Sequence, residues 1–173
     1  MKRFSSKQIA FAGIVAALYA AITILCAPLS YGAVQFRIAE ALTVLCCFSP
    51  TAIFGVVIGC IGANIISSVG AFDILFGSVA TLLACLVTSK IKRVWFVPLP
   101  TILFNALIVG AEIAFFVDNR AFWTAFGLNA LSVAAGEAAV MVLLGIPLFL
   151  YLKNSAMGAF ISALDNHPEN GGR

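Results

Sequence analysis

Charge is what this sequence has least of. Lys, Arg, Asp and Glu together make up 10% of its 173 residues, against roughly a quarter in a soluble domain. A water-soluble chain of this size could not cover its surface with so few polar groups. Histidine is nearly missing too, and the one copy, His167, lies in the tail. The five cysteines, Cys26, Cys46, Cys47, Cys60 and Cys85, sit inside apolar runs and form no Cys-x-x-Cys pair. Tetrahedral metal sites need clustered Cys and His, so no metal is expected. Buried thiols serve as small apolar residues instead. No Gly-x-x-x-x-Gly-Lys-Ser/Thr loop occurs, so the chain has no phosphate cradle of the usual kind for ATP. No cofactor is expected.

What is present is apolar. Hydrophobic residues make up 62% of the chain and the mean hydropathy is +1.10. The pattern predicts an all-α integral membrane protein with six transmembrane helices. The expected spans are 9–29, 36–48, 50–68, 72–88, 95–117 and 123–152. Pro28 helps to end the first, and the basic start before it reads as the flank of an uncleaved span rather than of a secretory signal. Residues 1–153 form one transmembrane domain and 154–173 a polar cytoplasmic tail. Lys2, Arg3 and Lys7, then Lys90, Lys92 and Arg93, then Lys153, fall on one side only if an even number of spans separates them. Four spans before Lys90 and two after it meet that condition, so both termini face the cytoplasm.

Ionisable residues within spans are costly and point to function. Here they are Arg37, Glu40, Asp73, Glu112 and Glu137, joined by Asn64, Asn105 and Asn129. In the six-span orientation most fall in the outer half, with Asn105 and Glu137 nearer the midplane. The inner half is almost purely apolar. This describes a cup open to the outside and speaks against a continuously lined channel. Each residue also has a plainer role. Arg37 and Glu40, three apart, can neutralise each other at the interface. Asp73 can cap its helix, and the asparagines can join helices. Glu112 and Glu137 are harder to explain away, because no basic residue in the last four spans can pair with them. Aromatic residues, among them Tyr31, Phe36, Phe72, Phe116 and Trp123, gather near the same end. Most suit interface anchoring, but Phe36 or Trp123 could stack on a flat ring. On the first span Ala12, Ala16 and Ala20 form a small-residue row that admits another helix, inside the bundle or on a partner.

Several stretches carry a resemblance. Tyr-Gly-Ala-Val-Gln-Phe-Arg-Ile-Ala-Glu-Ala-Leu-Thr (31–43), Gly-Cys-Ile-Gly-Ala-Asn-Ile-Ile-Ser (59–67), Asp-Ile-Leu-Phe-Gly-Ser-Val-Ala-Thr-Leu (73–82), Phe-Asn-Ala-Leu-Ile-Val-Gly-Ala-Glu-Ile (104–113) and Gly-Glu-Ala-Ala-Val-Met-Val-Leu-Leu-Gly-Ile-Pro-Leu (136–148) resemble the QueT family of queuosine-precursor transporters. The resemblance covers about residues 8–153. It implies the substrate-binding S component of an energy-coupling factor importer in the bacterial cytoplasmic membrane. Its expected partners are a transmembrane coupling protein and two cytoplasmic ATPases, and its expected ligand a 7-deazaguanine such as preQ0, preQ1 or queuine. In related S components the small row of helix one meets the coupling protein, here Ala12, Ala16 and Ala20.

Chemistry then proposes a site. A deazaguanine edge offers N1–H and an exocyclic amine, two donors that one carboxylate accepts. Glu137 or Glu112 would read that edge. Asn64, Asn105 and Asn129 would orient it, and Arg37 and Glu40 would shape the rim. A competing reading is an intramembrane enzyme acting on a lipid or isoprenoid through Glu112 and Glu137 as an acid–base pair.

Overall fold

The computed structural model describes residues 4–30, 35–67, 71–116 and 121–166. Lys2, Arg3, Tyr31, Arg120 and His167 lie outside them. The described residues form helices without strands. Helix α1 is Ser6–Leu25, followed by the single turn α2, Ala27–Ser30. A 3₁₀ helix, Ile38–Cys47, leads to α3, Thr51–Asn64, then α4, Ala71–Thr88, and α5, Pro98–Phe116. Helix α6, Phe122–Val140, passes through a π turn, Met141–Gly145, into α7, Ile146–Lys153, and the last helix, α8, is Ala156–Asn166.

Local chemistry sets these boundaries. Ser5 and Gln8 form a reciprocal capping box at the start of α1. Pro98 opens α5, where its missing N–H costs nothing. Inside the last span, Pro147 withholds the donor that residue 143 would have received, and the wide π turn sits at that place.

Four helical stretches are long and apolar enough to cross a membrane: Ser6–Leu25, Ala71–Thr88, Val94–Phe116 and Phe122–Lys153. The other two expected spans are shorter, the 10-residue 3₁₀ helix and the 14-residue α3. The 3₁₀ geometry compensates for shortness, rising about 2 Å per residue against about 1.5 Å in an α-helix. It also places every third residue in one row. Arg37, Glu40, Thr43 and Cys46 have that spacing, and all four are buried.

Helices α1 and α3 meet at close range because α3 presents glycine. A Cβ on Gly55 would stand 2.7 Å from the Ala12 carbonyl, and one on Gly59 2.7 Å from both the Ala16 carbonyl and Tyr19 Cβ. Ala12, Ala16 and Ala20 are consequently half-buried, while Gly13, Ala17 and Ala21 beside them are open. The small-residue row therefore has an internal task, and the more accessible row is its neighbour. Between α1 and α3 runs an apolar groove of about 330 Å³ lined by Phe4, Gln8, Ala12, Gly13, Ala16 and Phe54 among others.

The core joins Val15, Tyr19, Val44, Val56, Cys60, Met141 and Phe149, with Ile91 and Val94 packed on its margin. Residues 154–166 do not behave as a plain polar tail. Ile161 and Leu164 of α8 are buried against the bundle. Asp165 fastens that helix to two others. It accepts from Gln8 Nε2 at 2.8 Å, from Thr51 Oγ1 at 2.6 Å and from the Ser49 hydroxyl. The starts of α1 and α3 and the end of α8 thus share one end of the bundle. Cys47 Sγ, which donates to the Thr88 carbonyl at 3.3 Å, ties the end of the 3₁₀ helix to the end of α4. The polar groups described next collect at the opposite ends of the 3₁₀ helix, α3 and α4.

Candidate functional site

The entrance to the 3₁₀ helix organises the site. Arg37 is 2% exposed and Glu40 is fully buried, so neither shapes an exposed rim as the sequence suggests. Nor do they form an ion pair among the described residues. Each is instead held by neutral groups. Arg37 Nη2 donates to Asn64 Oδ1 at 2.9 Å, and Asn64 Nδ2 donates to the Asp73 carbonyl at 2.8 Å. The Asp73 carboxylate accepts from the Ser67 hydroxyl. Glu40 Oε1 accepts from the Tyr19 hydroxyl at 2.6 Å and from Thr81 Oγ1 at 2.8 Å. Thr43 donates to the Glu40 carbonyl at 2.7 Å and lies 3.2 Å from Thr101 Oγ1. One face of Arg37 requires glycine, since a Cβ on Gly77 would come within 2.8 Å of Asn64 Nδ2 and 3.4 Å of Arg37 Nη2.

This scaffold leaves a set of buried polar atoms without hydrogen-bond partners among the described residues: Arg37 Nη1, Glu40 Oε2, both side-chain atoms of Asn105, and all four carboxylate oxygens of Glu112 and Glu137. Asn105 and Glu112 share a face of α5, being seven positions apart. Glu137 comes from α6. Arg37 is the common electrostatic neighbour: Glu112 lies within range of Asp73 and Arg37, and Glu137 within range of Glu40 and Arg37. Buried polar groups normally find partners, and an orphan costs about 1–3 kcal/mol, more when charged. So many orphans near one guanidinium make this cluster the candidate site for a polar molecule. It is closed to lipid, since Asn105, Glu112 and Glu137 are at most 3% exposed. The cup expected from the sequence is thus closed over in this structure: its polar groups are enclosed, and the apolar groove between α1 and α3 is lined by other residues.

Two expected site residues stand elsewhere. Trp123 is 80% exposed and packs only against Phe122 and Phe126 among the aromatic contacts, the position of a membrane-interface anchor. Asn129 donates to the Ala125 carbonyl at 2.9 Å, spending its amide along its own helix. Phe36 is half-buried. Its backbone follows the Gln35 carbonyl, which fills the space a side chain on Gly136 would take. Phe72 and Phe116 stack at 3.7 Å on the outside of the bundle, each more than a third exposed.

Sequence reasoning missed Tyr19 and Thr81, the two donors to Glu40. Tyrosine prefers the membrane interface, so its place deep inside the 20-residue apolar helix α1 was the available signal. Thr81 carried none, because a threonine in an apolar helix bonds readily to its own backbone.

Comparison with known proteins agrees with the geometry. Residues 9–154 match the model of the QueT transporter family. A protein of Lactococcus lactis subsp. cremoris (strain MG1363), named as a queuosine precursor transporter, is 36% identical over 84 residues. That match spans 47% of this chain and about half, 49%, of the relative's length. No solved structure matches. Nothing in these likenesses supports the lipid-enzyme alternative. A multi-pass bundle with a buried polar cluster is thus accompanied by a family match along most of its length: the chain belongs to the QueT transporter family.

Proposed function

We propose that this chain is the substrate-binding S component of an ATP-driven energy-coupling factor importer, capturing a queuosine precursor from outside the cell. The carrying observation is the set of orphaned polar atoms around Arg37, on the 3₁₀ helix, α5 and α6. A 7-deazaguanine complements them. Arg37 Nη1 donates to the ring carbonyl, and a carboxylate accepts N1–H and the exocyclic amine. Arg37 is the basic neighbour of Glu40, Asp73, Glu112 and Glu137, so the cluster is short of positive charge. Buried carboxylates need a cation or protons, which favours the aminomethyl precursor over the neutral nitrile.

In this reading the chain crosses a bacterial cytoplasmic membrane six times with both termini inside. The 3₁₀ helix and α3 cross as short, largely enclosed segments. The site then lies in the outer half, and Lys7, Lys90, Lys92, Arg93 and Lys153 lie at the cytoplasmic end. With no ATP loop in the sequence, energy comes from two ATPases through a transmembrane coupling protein. The α1 face beside Ala12, Ala16 and Ala20 offers that protein a seat.

The test is accumulation of labelled 7-aminomethyl-7-deazaguanine by cells expressing the chain, with and without the coupling protein and ATPases. Uptake should require all of them, and the ATPases should co-purify. Uptake by this chain alone would reject the S-component assignment.

A further inference from the structure

Tyr19 has no free polar atom to offer a ligand, yet it is buried beside the site. Its side chain is 1% exposed in a helix whose other large residues mostly face outward, among them Ile14, Leu18 and Leu25. Its hydroxyl donates to Glu40 Oε1 at 2.6 Å, and Thr81 donates to the same oxygen at 2.8 Å. Glu40 Oε2 has no partner among the described residues. Two donors on one oxygen fix the carboxylate plane and leave the second oxygen as the only open acceptor of that group. Gly59 of α3 in turn fixes Tyr19, for a Cβ there would come within 2.7 Å of Tyr19 Cβ.

We propose that Tyr19 is a positioning residue for ligand capture, which aims Glu40 Oε2 at the bound molecule and ties α1 to the occupancy of the pocket. The inference rests on the transporter reading. A ligand donor on Oε2 immobilises Glu40. The strong O–H···O contact then passes that restraint to α1, the helix that also carries the open row Gly13, Ala17 and Ala21. Thr81 aims the same oxygen from α4, and its other contact among the described residues is Cys60 Sγ of α3 at 3.5 Å rather than a group of α1. The two donors therefore have separable roles.

The experiment measures binding of 7-aminomethyl-7-deazaguanine to the full chain in nanodiscs, together with amide hydrogen exchange with and without it. Wild type should show slower exchange in α1 on binding. Tyr19→Phe should bind about tenfold more weakly, the loss of one hydrogen bond to a charged group, and should lose the α1 protection while keeping that of α5. Thr81→Val should weaken binding by a similar factor but keep the α1 protection, and Thr81→Ser should restore wild-type affinity. A purely structural Tyr19 would lower the unfolding temperature and leave the ligand-induced protection of α1 in place, which would overturn the inference. So would unchanged affinity in Tyr19→Phe, or a wild-type α1 that ignores the ligand. If wild type binds no 7-deazaguanine at all, the transporter reading itself falls and takes the inference with it.

Discussion

Glu137→Leu separates a binding residue from a structural one, because the two roles predict opposite changes in stability. Glu137 is fully buried, and neither carboxylate oxygen has a partner among the described residues. Leucine is of similar volume and leaves no orphan. Replacing an unsatisfied buried polar group by an apolar one of the same shape is neutral or stabilising, by up to about 1–3 kcal/mol here. The ligand-free protein should therefore unfold at the same temperature as wild type or a few degrees higher. Binding should suffer by at least the value of a charge-assisted hydrogen bond, about 1.5–3 kcal/mol, or roughly 10- to 150-fold. Thermal unfolding followed by tryptophan fluorescence, and titration of 7-aminomethyl-7-deazaguanine into the purified protein, read the two effects. Glu137→Gln, which keeps the shape, serves as the polar control and should also bind weakly. A variant that unfolds several kcal/mol more easily yet binds normally would show that Glu137 holds the bundle together, and the reasoning from orphaned atoms would be wrong.

Other outcomes follow from particular contacts. Gly77→Ala puts a methyl group within 2.8 Å of Asn64 Nδ2; it should displace the Arg37–Asn64 pair and cost about 1–3 kcal/mol of stability, with binding lost beyond what that explains, measured by the same two assays. Arg37→Lys should bind at least tenfold more weakly in the titration, because a single ammonium nitrogen lacks the rigid planar fork that holds Asn64 with one arm and aims the other elsewhere. Asp165→Ala should raise hydrogen exchange throughout α8 and leave ligand affinity unchanged. Burial pushes the Asp165 carboxyl up, but hydrogen bonds from Ser49, Thr51 and Gln8 outweigh this and hold it below the usual aspartate value. Its contribution is thus fully present above the unfolded aspartate pKa of about 3.9 and is lost as pH falls through the lower folded value. Wild-type α8 should accordingly keep its protection at pH 5.

Much of this was readable in the sequence because lipid makes polar residues conspicuous. Arg37, Glu40, Asn64, Asn105, Glu112 and Glu137 stand out against apolar surroundings, and all six are buried. The long helices were legible from apolar length alone, as α4 at Ala71–Thr88 and α5 at Pro98–Phe116 illustrate. Depth was harder. Arg37 opens its helix, which suggested a rim, yet it is 2% exposed and bonded to Asn64 at the end of α3. The 3₁₀ helix was not legible, because Arg37 and Glu40, three apart, share a face in an α-helix as well. Trp123 and Asn129 show the limit of arguing from residue type. Both have suitable chemistry, and only packing reveals that one faces outward and the other bonds its own helix. The helical character of α8 was hidden by its polar flanks, since Ile161 and Leu164 are the large side chains that bury on the bundle.

The central claim is that the orphaned atoms around Arg37 exist to receive a 7-deazaguanine. Titrating the purified chain, free of any partner, with 7-aminomethyl-7-deazaguanine, its nitrile counterpart and queuine, with riboflavin as control, tests it directly. The account predicts saturable one-to-one binding, tightest for the aminomethyl compound and absent for riboflavin. Failure of all three deazaguanines to bind, or equal binding of riboflavin, would contradict it.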